Sequence, residues 1–231
     1  MTFVILFNQK YFTMRKRSIP SYKEGLRQLR SQLKEMLPSD ALATFDHDAM
    51  QLENSYSSIL QLKEGEKAPD FTLLNALGDT IKLSDLLKKG KVIVTFYRGT
   101  WCPYCNLQLN QYQQSLELIK EKGASLIAIS PQTPDASLSI KEKNELEFEV
   151  LSDIGNIVAR QFTKVFKNDE APIQVMADLG YDYDGFYGDN SREIPVPAVF
   201  IINQDSTIRF AKVAGGDYRN RVETEEIINS L

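Results

Sequence analysis

Residues 91–98, KVIVTFYR, form a run of β-branched and aromatic side chains with almost no polar alternation. A strand of that kind has no solvent face, so something apolar must cover it on both sides. ASLIAIS (124–130) is a second such run, and between the two Leu109, Tyr112, Leu116 and Ile119 recur at helical spacing as far as Gly123. Strand, helix and strand in this order imply helices packed on a sheet, a mixed α/β sandwich.

The flanking segments fit that plan. DFTLLNALGDTIKL (70–83) reads as two short strands around a turn at Gly78-Asp79, and Ser84 is placed to cap a short helix ending at Gly90. A polar helix is expected over 134–147, a strand at FEVLSD and a helix at IGNIVARQF. VFIIN and TIRFAKV form a hairpin, and a last helix runs from Thr224 to Leu231. Ahead of this unit, Ser21 and Glu24 match a capping box, and Leu26, Leu29, Leu33 and Met36 follow at helical spacing until Pro38. A second helix from near Asp40 carries Phe45, Ala49, Leu52, Tyr56 and Ile59 on one face. That face packs on the main unit or serves a homodimer or partner contact. The expected division is a helical extension and charged linker over 1–67, then one α/β domain over 68–231.

Acids and bases are well mixed, with a net charge of −4, so no nucleic-acid footprint is present. No apolar run has the length of a membrane span. MTFVILFNQKYFTMRKR lacks the basic lead and small-residue cleavage site of a signal peptide. Residues 1–13 match no capping signal, and Met14 is an alternative start. Cytoplasm is the expected compartment.

Both cysteines lie in YRGTWCPYCN (97–106), where a buried strand gives way to a helix. Three readings of the spacing are open: a metal clip, a structural disulfide and a redox pair. A zinc site needs about four ligands, and the chain offers two cysteines and His47 alone. A disulfide closing so small a ring removes little entropy from the unfolded chain. Two inert buried thiols are the remaining bland alternative. Pro103 suits the first helical turn, which puts Cys102 at the N-cap, where the helix dipole lowers a thiol pKa. Cys105, one turn on, can close a disulfide with it, the minimum equipment for thiol–disulfide exchange. On this electrostatic argument Cys102 is the lower-pKa, more exposed thiol. YDYDGFYGDN (181–190) reads as a tyrosine-anchored surface loop, with a substrate-contact role as the alternative.

DFTL, KVIVTFYRGTWCPYC, ISPQTPD, FEVLSD and VPAVFIIN, in that order, resemble the peroxiredoxin family (the alkyl hydroperoxide reductase and thiol-specific antioxidant group), specifically a subgroup with a WCPYC site. The likeness runs over roughly residues 20–231 and implies a thioredoxin-like fold. It also implies a thiol-dependent antioxidant peroxidase that reduces hydrogen peroxide or organic hydroperoxides. A Cys102–Cys105 disulfide would be recycled by thioredoxin or a similar thiol reductant, with no cofactor and no metal. The alternatives are a thioredoxin-like or glutaredoxin-like disulfide reductase and a non-enzymatic redox sensor.

Laid on the family pattern Pro-x-x-x-Thr-x-x-Cys, the peroxidatic position falls on Cys105, the Thr position on Cys102 and the Pro position on Arg98. Arg98, Thr100, Trp101, Pro103 and Pro197 are the implied supporting residues. Pro197 stands where the family has an arginine, and matches instead the cis-proline of thioredoxins, so a cis Val196–Pro197 bond is expected. Thioredoxin's buried acid is replaced by Phe96. Arg192 and Arg209 are the candidates to replace the missing family arginine.

Overall fold

The computed structural model describes residues 18–55 and 59–231. The alternative start at Met14, and Tyr56 of the apolar stripe, lie outside the described residues.

Seven strands form one sheet: β1 (Thr72–Asn75), β2 (Thr80–Lys82), β3 (Lys91–Phe96), β4 (Ala124–Ser130), β5 (Glu149–Ser152), β8 (Ala198–Ile202) and β9 (Ile208–Val213), in the order β2-β1-β5-β4-β3-β8-β9. β3, β4 and β5 run parallel, and β8 pairs antiparallel with β3, from Val92↔Ile202 to Phe96↔Ala198. Successive side chains of these strands divide between two cores. Ile93, Leu126, Ala128, Val199 and Ile201 face one; Val92, Val94, Phe96, Ile127, Ile129, Phe200 and Ile202 face the other. This is the two-sided burial that the unbroken apolar runs require.

One face is covered by α4 (Pro103–Gln114), α5 (Leu116–Glu121) and α9 (Thr224–Asn229), the other by α3 (Leu83–Leu87) and α7 (Ala159–Phe162). α6 (Pro134–Lys143) packs beside β5. The extension is a helical pair, α1 (Tyr22–Met36) and α2 (Ser39–Ser55). Leu26, Leu29, Leu33 and Leu52 pack on the first core, whereas Met36 of the same stripe is exposed. Segment 59–68 is pinned along its length: Gln61 N–H donates to Phe162 O at 2.9 Å, Gly65 N–H to Ile208 O at 2.8 Å and Ala68 N–H to Ser206 O at 2.9 Å.

Three local expectations change. Ser84 lies inside α3, whose start is held by Asp70 Oδ1 accepting from Ser84 N–H at 2.9 Å. The helix expected over IGNIVARQF shrinks to α7, because the Asp153 carboxylate captures the N–H groups of Val158 and Ala159 and delays its start. Residues 163–195, largely unassigned by pattern, hold a two-stranded ladder of β6 (Val165–Lys167) and β7 (Glu193–Pro195) around α8 (Glu170–Asp178) and a short 3-10 turn at Asp184–Phe186.

Candidate active site

β3 ends at Phe96, and the chain turns through Arg98-Gly99-Thr100-Trp101 into α4. The turn is tight: a Cβ at Gly99 would lie 2.6 Å from Trp101 Nε1. Thr100 N–H donates to the buried Gln132 Oε1 at 2.8 Å, and Cys102 N–H to Gly99 O at 3.1 Å. Asn106 Nδ2 ties the carbonyls of Thr100 and Cys102 to the first turn of α4. Cys102 is the N-cap and Pro103 the first helical residue, as the spacing predicts.

The electrostatics differ from that prediction. Both sulfurs are fully buried, so Cys102 is not the exposed member of the pair. Burial would raise both thiols, and it pushes Cys102 well up, reinforced by the hydrogen bond to Cys105 and by that neighbour's charge. At Cys105 burial is outweighed by the Cys102 thiol hydrogen bond, the Arg221 guanidinium, the Arg98 backbone N–H and the Arg98 charge, which together bring it to about 5. Arg221 Nη2 donates to Cys105 Sγ at 3.3 Å, while its Nη1 is fixed by the carbonyl oxygens of Tyr218 and, at 2.7 Å, Asn220. Two contacts account for the reversal. The hydrogen bond between the two sulfurs lowers Cys105 and raises Cys102, and Arg221 places a whole charge within hydrogen-bonding distance of Cys105, where the helix end offers only a partial one.

Arg221 is the residue that sequence reasoning missed. It stands 116 positions from Cys105, in a loop with no local pattern of its own. The two arginines proposed for that role are elsewhere. Arg192 pairs with Asp184 and Glu170, and Arg209 Nε donates to Ser230 O at 2.6 Å.

Arg98 is buried and aromatic-lined. Its guanidinium carbon lies 3.6 Å from the Tyr218 ring centroid and 4.8 Å from that of Trp101, and Nη2 donates to Asn168 Oδ1 at 3.0 Å. The 181–190 loop closes this side. Trp101 Nε1 donates to Tyr187 Oη at 2.8 Å, Tyr187 Oη donates to Arg98 O at 3.2 Å, and the Tyr183 ring sits 5.4 Å from Trp101. The structure therefore brings together Cys102, Cys105, Arg98 and Trp101, with Thr100 and Pro103 as parts of the turn that sets them. Pro197 is buried between β7 and β8, next to Ala198, which pairs with Phe96 at the end of β3. Its peptide bond is trans, since no cis bond occurs among the described residues. The expected cis turn is replaced by an extended passage: Val196 N–H donates to Lys164 O at 2.8 Å and Val196 O accepts from Thr163 Oγ1 at 3.0 Å.

A cavity of about 790 Å³ is lined by residues of α1, α2, α4 and α8. Leu33, Phe45, Leu107 and Met176 line its walls, and it reaches Arg98 and Cys102.

Comparison with known proteins agrees with this geometry. The chain is 43% identical over 101 residues to a bcp-type peroxiredoxin of Buchnera aphidicola; the match spans 44% of this chain and 63% of that one. It is 32% identical over 151 residues to a bcp-type peroxiredoxin of Haemophilus influenzae, spanning 64% of this chain and 83% of that one. Among solved structures, peroxidoxin BcpB from Mycobacterium tuberculosis superposes with a TM-score of 0.56 at 21% identity, over 73% of this chain and 96% of that chain, which shows the shared fold. Residues 65–211 match the AhpC/TSA family, and with the strand order and the buried cysteine pair described above the chain belongs to that family.

Proposed function

We propose that the protein is a thiol-dependent peroxidase working through Cys105 and Cys102. The observation that carries the reading is the Arg221 guanidinium 3.3 Å from Cys105 Sγ, which together with the Cys102 thiol hydrogen bond favours the thiolate of that sulfur at neutral pH. The thiolate attacks one peroxide oxygen and the O–O bond breaks. The departing hydroxide or alkoxide takes a proton from the Cys102 thiol, and Cys105 becomes a sulfenic acid. The Cys102 thiolate so formed attacks the Cys105 sulfur. Hydroxide leaves, is protonated to water, and a Cys102–Cys105 disulfide remains. A dithiol reductant of the thioredoxin type reopens it by exchange. Trp101 and the Gly99 turn hold the loop, and Arg98 adds its backbone N–H and its charge. Peroxiredoxins among the relatives favour this reading over disulfide reduction.

Purified protein with a thioredoxin system should consume hydrogen peroxide or an organic hydroperoxide and leave insulin disulfides intact; the opposite result makes it a disulfide reductase. Cys105→Ser should abolish reaction with peroxide, whereas Cys102→Ser should form one trappable sulfenic acid per chain. Inversion of that pattern would assign the attack to Cys102.

A further inference from the structure

We propose that Asp48, on α2 of the helical extension, is the counter-ion that sets the redox poise of the Cys102–Cys105 pair by acting through Arg98. Asp48 is buried, and its Oδ2 has no hydrogen-bond partner among the described residues. The groups that face it are Arg98, Tyr218, Asp169 and His47. Arg98 in turn faces Tyr218, Cys102, Asp48 and Cys105, and its Nε is likewise unpartnered. Tyr218 joins the two: its ring lies under the guanidinium at 3.6 Å, and its hydroxyl donates to Phe45 O, one turn before Asp48, at 2.8 Å. Asp48 lies at residue 48, ahead of the 65–211 segment that matches the family, so this arrangement belongs to the extension.

Charge balance gives the role. In the reduced protein the buried Arg98 guanidinium faces both the Cys105 thiolate and the Asp48 carboxylate, and the buried Arg221 faces the thiolate. Disulfide formation removes the thiolate, and the Asp48 carboxylate remains among the groups acting on Arg98. A buried charge without a partner is costly. The carboxylate therefore favours the oxidised form: it compensates Arg98 in either state, and opposes the thiolate, which acts on the same guanidinium, only in the reduced one. Burial raises the Asp48 pKa, against the Arg98 charge and the Tyr218 hydroxyl. By linkage, losing the thiolate must lower it. Asp48 is a positioning residue here, since it touches neither sulfur.

The inference rests on the pair cycling between dithiol and disulfide, and the test separates the two ideas. The protein is equilibrated in mixtures of reduced and oxidised dithiothreitol and its free thiols are trapped. The exchange converts protein disulfide and dithiol into one Cys102 thiol, one Cys105 thiolate, a released proton and cyclic dithiothreitol disulfide. Asp48→Asn should make the protein disulfide about tenfold easier to reduce at pH 7.5, roughly 30 mV for a two-electron couple. Asp48→Glu should restore most of the difference. The gap should shrink as pH falls and the wild-type carboxylate protonates, which lost packing alone would not produce. Independently of any variant, carboxyl-carbon NMR of the wild-type protein should show Asp48 titrating at lower pH when oxidised than when reduced. Equal potentials in wild type and Asp48→Asn, a gap indifferent to pH, or an Asp48 titration indifferent to redox state would overturn the proposal. Failure of the wild type to form a disulfide at all would overturn the redox cycle and the inference with it.

Discussion

At Cys105 the Cys102 thiol hydrogen bond and the Arg221 guanidinium, with smaller help from Arg98, together overcome the cost of burial. A hydrogen bond to a charged group contributes about 1.5–3 kcal/mol, or roughly one to two pKa units. Arg221→Gln should therefore raise the Cys105 pKa by about one to two units and slow alkylation by iodoacetamide at pH 6 by about two- to tenfold; an unchanged pH–rate profile would assign the thiolate to the Cys102 thiol and backbone alone. The same shift has a stability consequence. A thiol depressed to about 5 in the folded protein, against about 8.5 in the unfolded chain, stabilises the fold fully above about pH 8.5. That contribution is lost as pH falls towards 5. The stability difference between wild type and Cys105→Ser, measured by urea denaturation under reducing conditions, should accordingly narrow from pH 8.5 to pH 5.

The loop over residues 214–223 explains how Arg221 is held, and its supports come from the extension. Glu223 accepts from Tyr22 N–H at 2.7 Å and Lys23 N–H at 2.9 Å, so it caps α1 from 200 residues away. Tyr22 Oη donates back to Arg219 O at 2.7 Å, Arg219 pairs with Asp46 at 2.8 Å, and Asp217 N–H donates to Glu53 Oε2 at 2.6 Å. Helix caps contribute about 1 kcal/mol. Glu223→Gln should lower stability by about that much, read from the urea midpoint. It should also make Cys105 alkylation more variable with temperature, because the loop that carries Arg221 is loosened. A stability loss with no change at the thiol would show that Arg221 is fixed by its neighbouring carbonyls without help from α1.

For the molecule as a whole, stability rests on the two cores flanking the sheet. The second is centred on Phe162, which is fully buried with ring centroids 5.3 Å from Phe96, 5.2 Å from Phe200 and 6.1 Å from Phe71. Phe162→Ala should cost about 3–5 kcal/mol, by lost burial and the cavity left behind. The cysteine pair sits on the other side of the sheet, in the core that includes Cys102, Cys105 and Tyr218. The residual folded fraction of the variant should therefore keep a thiolate pH profile close to wild type.

The strands of the sheet, the α4 stripe and the Cys102–Cys105 junction were legible in the sequence because each depends on neighbours a few residues apart. KVIVTFYR has no polar face to offer water, and Pro103 after Cys102 starts a helix wherever that segment is placed. Asp48 was half legible: it falls within the Phe45–Ala49–Leu52 apolar stripe, where a charge is out of place. The 163–195 segment escaped because its two strands are three residues each, and are defined by pairing with one another across α8. The place of Arg221 beside Cys105, and its share in the reversed thiol pKa values, were decided by tertiary structure alone. Coulomb interaction depends on distance through space, and only the folded chain brings a guanidinium to 3.3 Å from a sulfur that lies 116 residues away in sequence.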